Sequence, residues 1–452
     1  MKFFDTVTRA AATGLAAAAV TSALATDKIL SGFPGARLRL LRTSDMHDPP
    51  KYSTSHFHVP LKHVSNAHEH PRTGADLALG FAQRQLGDGF GYTNVTVANK
   101  YGTSFAIDVS FNNHTMPLIV DSGSSDTWAV SSDFDCVDWM GTSFDQVTCG
   151  FGSPFPGAFN EVVKNQHFFI QYGSGEQISG PLGKIDVTVA GITVQDQEVA
   201  LANLTYWNGN NYTAGLVGLA YPSLTSAYYG SDQTSGSDAN QISYNPLFTE
   251  MMNQGLIDQP IWSIAINRNS SDGVIAFGGI VDSPTLWEAP VGWTDIIITD
   301  IISTRPETSY KPSFYTIIPD GLLYGQSMNT AKYPYIIDTG TTLMYLPPQL
   351  AEAVNAAFDP PASYVWMYGG YFTSCDAVPP RFAVEIGEEQ FWVNPIDMIF
   401  RSFQDPITGL CQTAIASGGS GPYILGSTFL QNTVTVFDVG KQVMAFYSRP
   451  YY

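Results

Sequence analysis

The stretch Ile119-Val120-Asp121-Ser122-Gly123-Ser124-Ser125 returns 217 residues later as Ile336-Ile337-Asp338-Thr339-Gly340-Thr341-Thr342. Both copies read apolar, apolar, Asp, hydroxyl, Gly, hydroxyl, hydroxyl. One Asp-hydroxyl-Gly triplet usually marks no more than a turn. Two with matching flanks mark a repeat. Each copy is followed by an apolar-apolar-Gly segment: Gly218 of Leu216-Val217-Gly218 lies 97 residues after Asp121, and Gly426 of Ile424-Leu425-Gly426 lies 88 after Asp338. The chain therefore reads as two related lobes, each supplying one carboxylate.

The pattern has a chemical reading. An apolar strand delivers an aspartate to a turn that glycine permits, where neighbouring hydroxyls and backbone N–H groups can orient it. If the lobes meet about a pseudo-two-fold axis, the two carboxylates face one another. Like charges that close cannot both ionise cheaply, so they share a proton. The ionised member can then take a proton from water as it attacks an amide carbonyl, while the protonated member donates to the carbonyl oxygen.

Composition agrees with a β-rich, extracytoplasmic protein. At 452 residues the chain exceeds one average domain. Charged residues are only 13%, against 44% hydrophobic, which argues against disorder. The 41 Gly and 28 Pro, with many Ser, Thr, Val, Tyr and Phe, suit short strands joined by tight turns. Runs such as Val95 to Ala98, Phe105 to Val109, Leu118 to Val120, Phe168 to Gln171 and Ile185 to Val189 are expected strands. A polar stretch from Tyr229 to Gln241 is an expected surface loop. It precedes a helical pattern over Asn245 to Leu256, with Leu247, Met251 and Leu256 facing a core.

The net charge of −19 repels nucleic acid and anionic membranes. It fits either solubility or work at low pH, where surface carboxylates are neutral. The four cysteines include no CxxC pair, so no zinc or other metal is expected. They allow three pairings. Closing the nearest loops gives Cys136–Cys149 and Cys375–Cys411, and oxidised pairs imply an extracytoplasmic compartment.

Lys2, Arg9 and the apolar run Ala10 to Val20 read as a signal peptide over residues 1–25, with Ala23-Leu24-Ala25 before the cut. Residues 26–85 carry eight Lys/Arg against five Asp/Glu and hold six of the eight histidines. Residues 86–452 carry 11 Lys/Arg against 34 Asp/Glu. Opposite charge predicts that the first segment docks on the second as a cleavable propeptide. The lobes are expected at 86–283 and 284–452. Secretion to the extracellular space follows, with a vacuolar or lysosomal lumen as the secondary option.

The motifs Asp121 to Trp128, Tyr172-Gly173-Ser174-Gly175, Gly215 to Pro222, Asp338 to Thr342, Ile424-Leu425-Gly426 and Val436-Phe437-Asp438 fall in one order over roughly residues 58–452. In that order they resemble the pepsin-like aspartic endopeptidases, made as secreted zymogens. The resemblance implies an all-β, bilobal fold of two β-barrel-like lobes with a cleft between them. It implies hydrolysis of extended polypeptide substrates at acidic pH, without a cofactor, by a monomer sensitive to pepstatin-type inhibitors. Asp121 and Asp338 would be the dyad. Ser122, Gly123, Ser124, Thr339, Gly340 and Thr341 would orient it. Tyr172, Gly173 and Ser174 would lie in a flap closing over the cleft, with the tyrosine hydroxyl bonded to Trp128, and Leu216 would line an apolar pocket. His58 to Val64 resembles the start of the family's inhibitory propeptide.

Three departures from the family pattern are visible. Ser122 stands where threonine is usual, which predicts looser packing with intact chemistry. Glu176 follows the flap and is expected to alter substrate preference. Ala214 replaces an Asp often found before Gly215. Among rivals, a serine hydrolase would need a histidine base, and the mature part offers only His114 and His167, in no triad setting. A glycosidase would leave the repeat unexplained. A non-catalytic pepsin-fold binding or inhibitor protein is the alternative, typically with a catalytic Asp or flap residue altered. Here Asp121, Asp338 and Tyr172 are all present.

Overall fold

A computed structural model describes residues 38–39, 52–53, 91–97, 105–237, 239–267, 273–281, 289–299, 311–366, 368–405 and 407–449. The expected signal peptide, most of the expected propeptide and the segment 58–64 lie outside the described residues.

Strands dominate, and their burial alternates as a pleated chain with one face on a core requires. In His114–Asp121 the buried positions are Met116, Leu118 and Val120, with Asp121 added at the end. The predicted runs at 105–109, 118–120, 168–171 and 185–189 all fall inside described strands, and Val95 to Val97 closes Gly91–Val97.

Six strands of the first half close into a barrel. Phe105–Phe111 pairs with His114–Asp121, which pairs with Gly215–Gly218. Gly215–Gly218 pairs with Thr127–Val137, and that strand with Ile192–Tyr206. Gln177–Val189 then pairs with both Ile192–Tyr206 and Phe105–Phe111, completing the ring. Closure removes exposed edges. The second half forms smaller sheets of five, four and four strands. Beneath both halves an antiparallel sheet joins Gly91–Val97, Gly273–Phe277, Ile261–Ala265, Thr433–Asp438, Val443–Ser448 and Val291–Asp295. The molecule is all-β, with a closed six-stranded barrel in its first half and open sheets in its second.

This lower sheet is tied to the site. Trp262 stacks on Phe437 with centroids 3.7 Å apart. The Trp262 indole N–H donates to the Tyr315 hydroxyl at 3.1 Å, which donates to the Leu219 carbonyl at 2.7 Å. Leu219 N–H in turn donates to the Asp121 carbonyl at 2.9 Å.

The helix expected over 245–256 is shorter, Leu247–Asn253, with Leu247, Phe248 and Met251 buried. Pro246 sets its start, since a residue before proline is pushed out of the helical region, and Gly255 at φ +65° ends the segment. Leu256 still packs on the core, from outside the helix. The bridges are Cys136–Cys149 and Cys375–Cys411, with Cα atoms 5.8 and 4.9 Å apart.

Candidate active site

The repeat is a repeat of pairing as well as of sequence. Val217 lies opposite Val120 and Gly218 opposite Asp121 in a parallel pair. Ile424 lies opposite Ile336 and Leu425 opposite Ile337 in the equivalent parallel pair. Each aspartate thus leaves its strand at the same register, and the glycines that follow explain themselves. A Cβ on Gly218 would lie 2.5 Å from the Ser125 carbonyl carbon, and one on Gly426 would lie 2.4 Å from the Thr341 oxygen. Each aspartate loop crosses too close to its glycine to admit a side chain.

The carboxylates are held in matching ways. Gly123 N–H donates to Asp121 Oδ1 at 2.8 Å and the Ser124 hydroxyl to Oδ2 at 2.5 Å. Gly340 N–H donates to Asp338 Oδ1 at 2.8 Å and the Thr341 hydroxyl to Oδ2 at 2.6 Å. The two loops face one another: a Cβ on Gly123 would meet the Asp338 carboxylate at 2.7 Å, and one on Gly340 would meet Asp121 Oδ1 at 2.5 Å. Both aspartates are buried. Burial, and next the charge of Asp338, push the Asp121 carboxyl well above its ordinary range. Asp121 thus keeps its proton to higher pH than an isolated carboxyl would.

Ser122 and Thr339 join the halves. Each backbone N–H donates to the other's hydroxyl oxygen, while the Ser122 hydroxyl donates to the Ile337 carbonyl and that of Thr339 to the Val120 carbonyl. All four bonds fall between 2.9 and 3.0 Å.

Tyr172 stands at the turn of the hairpin made by Glu161–Gln171 and Gln177–Val189, and the turn closes through Tyr172 N–H to the Glu176 carbonyl and Gly175 N–H to the Tyr172 carbonyl. Gly175 has φ +93°, a left-handed conformation that favours glycine. Trp128 donates its indole N–H to the Tyr172 hydroxyl at 2.8 Å. Burial, then the Asp121 charge, raise the Tyr172 phenol, so it keeps its proton. Leu216 is buried in one cluster with Trp128, with Tyr172 packed against it. Ser174 lies at the hairpin tip, its hydroxyl donating to Glu176 Oε2 at 2.7 Å.

Three further groups belong to the site, and of these the sequence singles out Glu176 alone. Trp207 meets Tyr172 and Trp128 edge to face at 5.7 and 5.5 Å and stacks on Phe151 at 5.8 Å. Glu176 Oε1 accepts from Asn208 N–H at 2.9 Å, so its carboxylate spans from the hairpin tip to a neighbouring loop. Asp126 is fully buried, accepting from the Tyr244 hydroxyl at 2.7 Å and from Ser226 N–H at 2.9 Å. The Ser226 carbonyl receives Phe169 N–H from the flap strand, which links the Asp121 loop to the base of the flap. Desolvation raises Asp126 from its ordinary 3.8 to about 6 against these bonds. Among the described residues neither histidine builds a nucleophilic triad: His167 is buried in a strand with its ring nitrogens on the Gly230 and Ser235 carbonyls, and His114 sits in a strand against Phe155.

Comparison with known proteins places this arrangement. The family model for eukaryotic aspartyl proteases matches residues 101–448. The chain is 39% identical over 359 residues to a probable aspartic-type endopeptidase of Aspergillus fumigatus, covering 76% of this chain and 78% of that one. It is 26% identical over 353 residues to an acid protease of Saccharomycopsis fibuligera, covering 76% and 80%. The crystal structure of an aspartic proteinase from Irpex lacteus shares the fold with a TM-score of 0.60 at 19% identity, over 80% of this chain and 98% of that one. Because the match takes in both aspartates together with the paired strands that carry them, the chain belongs to the eukaryotic aspartyl protease family and is a pepsin-like aspartic-type endopeptidase.

Proposed function

We propose that this chain is a secreted endopeptidase that works at acidic pH, made as a zymogen with a signal peptide at 1–25, a propeptide at 26–85 and catalytic lobes at 86–283 and 284–452. Asp121 and Asp338 share one proton and hold a water between them. The ionised carboxylate removes a proton from that water as it attacks the scissile carbonyl. The protonated one donates to the carbonyl oxygen, giving a tetrahedral diol. The carboxyl that took the water's proton then passes it to the nitrogen, the C–N bond breaks to release the amine, and the other carboxylate recovers its proton from the hydroxyl as the carbonyl re-forms.

The observation that carries the reading is the crossed approach of each glycine to the opposite carboxylate, with every Oδ already oriented by a hydroxyl or an N–H. Such preorganisation lets water be activated without rebuilding the site. Tyr172, held by Trp128, closes over an extended polypeptide and excludes bulk water. Acid operation is supported by the raised Asp121 carboxyl and by the acid protease among the relatives. No helix among the described residues is long and apolar enough to cross a membrane. The two disulfides and the fungal relatives support an extracellular setting.

Two described pieces of the segment 26–85 touch the body, which supports a docked propeptide. Leu38–Arg39 pairs antiparallel with Ile298–Thr299. Tyr52 is buried among Ile261, Ile280, Val436 and Ala445, with the Lys441 ammonium 5.1 Å from its ring. As pH falls, body carboxylates neutralise while the six histidines of the segment gain charge, and the attraction weakens.

The test is hydrolysis of a denatured protein from about pH 2 to about pH 8, with and without pepstatin, by wild type and Asp121→Asn. Acid-dependent cleavage that pepstatin blocks and the variant lacks is expected. Equal inertness of both proteins after propeptide removal would instead favour a binding protein.

A further inference from the structure

The hairpin closed by the Cys136–Cys149 bridge carries an apolar ridge that the fold leaves in solvent. Trp139 is 75% exposed, Met140 67%, Phe144 49% and Val147 79%. Single exposed apolar side chains are ordinary, but four within one short loop make a patch of the kind that marks a contact surface.

The loop is preformed. Cys136 pairs with Phe144 and Val137 with Ser143 across the hairpin. Asp138 Oδ1 accepts from the N–H groups of Met140 and Thr142 at 2.8 and 2.9 Å, which fixes the turn bearing Trp139. Gln146 donates to the Phe134 carbonyl at 2.8 Å, securing the return strand. Docking on such a surface costs little ordering entropy.

Its charge is one-sided. Asp133, Asp135, Asp138 and Asp145 flank the ridge, and no Lys or Arg occurs between residues 131 and 163. The turn N–H bonds hold the Asp138 carboxyl below its ordinary range, so it keeps its charge to lower pH than an ordinary aspartate. An anionic membrane would be repelled, and a second copy would bring the same carboxylates. A chain with Lys or Arg beside apolar residues would complement both features.

Position selects which such chain. Phe151, just past Cys149, meets Phe134 at 5.4 Å and stacks on Trp207, which meets Tyr172 at 5.7 Å. The base of the hairpin is thus one aromatic layer from the flap tyrosine, and three residues of strand carry its tip about 10 Å further out. The ridge therefore belongs to the same side of the molecule as the flap.

We propose that the Trp139–Val147 ridge is an exosite, a second contact surface outside the cleft for polypeptide substrates in which an apolar or aromatic side chain lies beside Lys or Arg. The proposal rests on the acid endopeptidase reading above. It adds a source of discrimination that a peptide just filling the cleft cannot reach, and so separates preference among long substrates from preference at the scissile bond.

The test compares, at about pH 5 where surface carboxylates are still ionised, a denatured basic protein with a fluorogenic peptide of about eight residues, for wild type, a Trp139→Ser/Met140→Ser variant and an Asp133→Asn/Asp135→Asn/Asp145→Asn variant. For the protein substrate, KM should rise about five- to tenfold in each variant with kcat unchanged, while peptide hydrolysis stays within about twofold. Equal loss on both substrates would make the hairpin a structural support of the flap. No change on either would assign the ridge to another occupant, such as a second copy or the basic N-terminal segment. Either result overturns the exosite. Wild type inert toward both substrates would remove the endopeptidase reading itself, an outcome distinct from failure of the exosite alone.

Discussion

Ser122 and Thr339, 217 residues apart in sequence, each donate a backbone N–H to the other's side-chain oxygen at 2.9 Å. Through this exchange the two lobes fix the separation of their aspartates. Serine in the first copy makes all the bonds that threonine makes in the second, so the missing methyl removes none of them. Replacing Ser122 by Ala leaves the Thr339 N–H without its partner in a fully buried site. Ser122→Ala should lose about 1–3 kcal/mol of unfolding free energy and most of its activity, whereas Ser122→Thr should keep both. Denaturant unfolding beside peptidase assays checks this; a fully active, equally stable alanine variant would remove the brace from the account.

Gly340 and Gly123 are required for space. A Cβ at Gly340 would sit 2.5 Å from Asp121 Oδ1, so Gly340→Ala must push the carboxylates apart. Activity should drop about 100-fold or more with the thermal transition retained. Gly173 is the control: a Cβ there meets nothing within 4 Å, and Gly173→Ala should stay within a few-fold of wild type. Similar activity for the two alanine variants would contradict the crossed geometry.

Much of this site was legible because its chemistry is local in sequence. Asp121 and Asp338 carry hydroxyls and glycine in the adjacent positions, and the recurrence of that pattern revealed the second lobe. The barrel strands were legible through their alternation. What could not be read are contacts made by folding alone. Asp126 looked like one more polar residue of the first motif, since its partners Ser226 and Tyr244 lie 100 and 118 residues away. Trp207 follows a strand with nothing local to indicate that it faces Tyr172. The overlong helix at 245–256 came from counting apolar positions across Pro246, whose effect on the preceding residue outweighs periodicity.

Asp126 makes stability depend on pH with a definite sign. The folded chain holds this proton to about pH 6, while the unfolded chain releases it near 3.8. Between those values the folded state binds more protons, so stability is full below the lower one and falls as pH rises to the upper one. The raised Asp121 carboxyl acts in the same direction. Two pH units correspond to about 3 kcal/mol. In an Asp121→Asn background, which prevents self-cleavage, unfolding free energy should fall by that order from about pH 4 to about pH 7, and adding Asp126→Asn should flatten the curve. The amide oxygen can still accept from Ser226. An unchanged slope in the double variant would place the dependence elsewhere.

Glu176 is a tether, and its effect on substrate follows from that. One carboxylate oxygen accepts from the Ser174 hydroxyl within the flap tip, and the other from Asn208 N–H in the loop that carries Trp207. That loop is itself anchored, with Gly209 N–H donating to the Cys149 carbonyl and Asn211 N–H to that of Gly150. The flap is therefore fastened to the disulfide-closed region through one side chain. Cutting the tether should let the tip sample open positions, at a cost in binding before chemistry. Glu176→Ala is expected to raise KM several-fold with a smaller change in kcat, and to speed amide exchange over residues 173–178. Glu176→Gln keeps an oxygen for Asn208 and an amide that can donate to the Ser174 hydroxyl, so it should restore both readouts. Were Glu176 instead a direct contact for a basic substrate side chain, glutamine would fail to rescue cleavage of such substrates, and exchange at the tip would be the same in all three proteins.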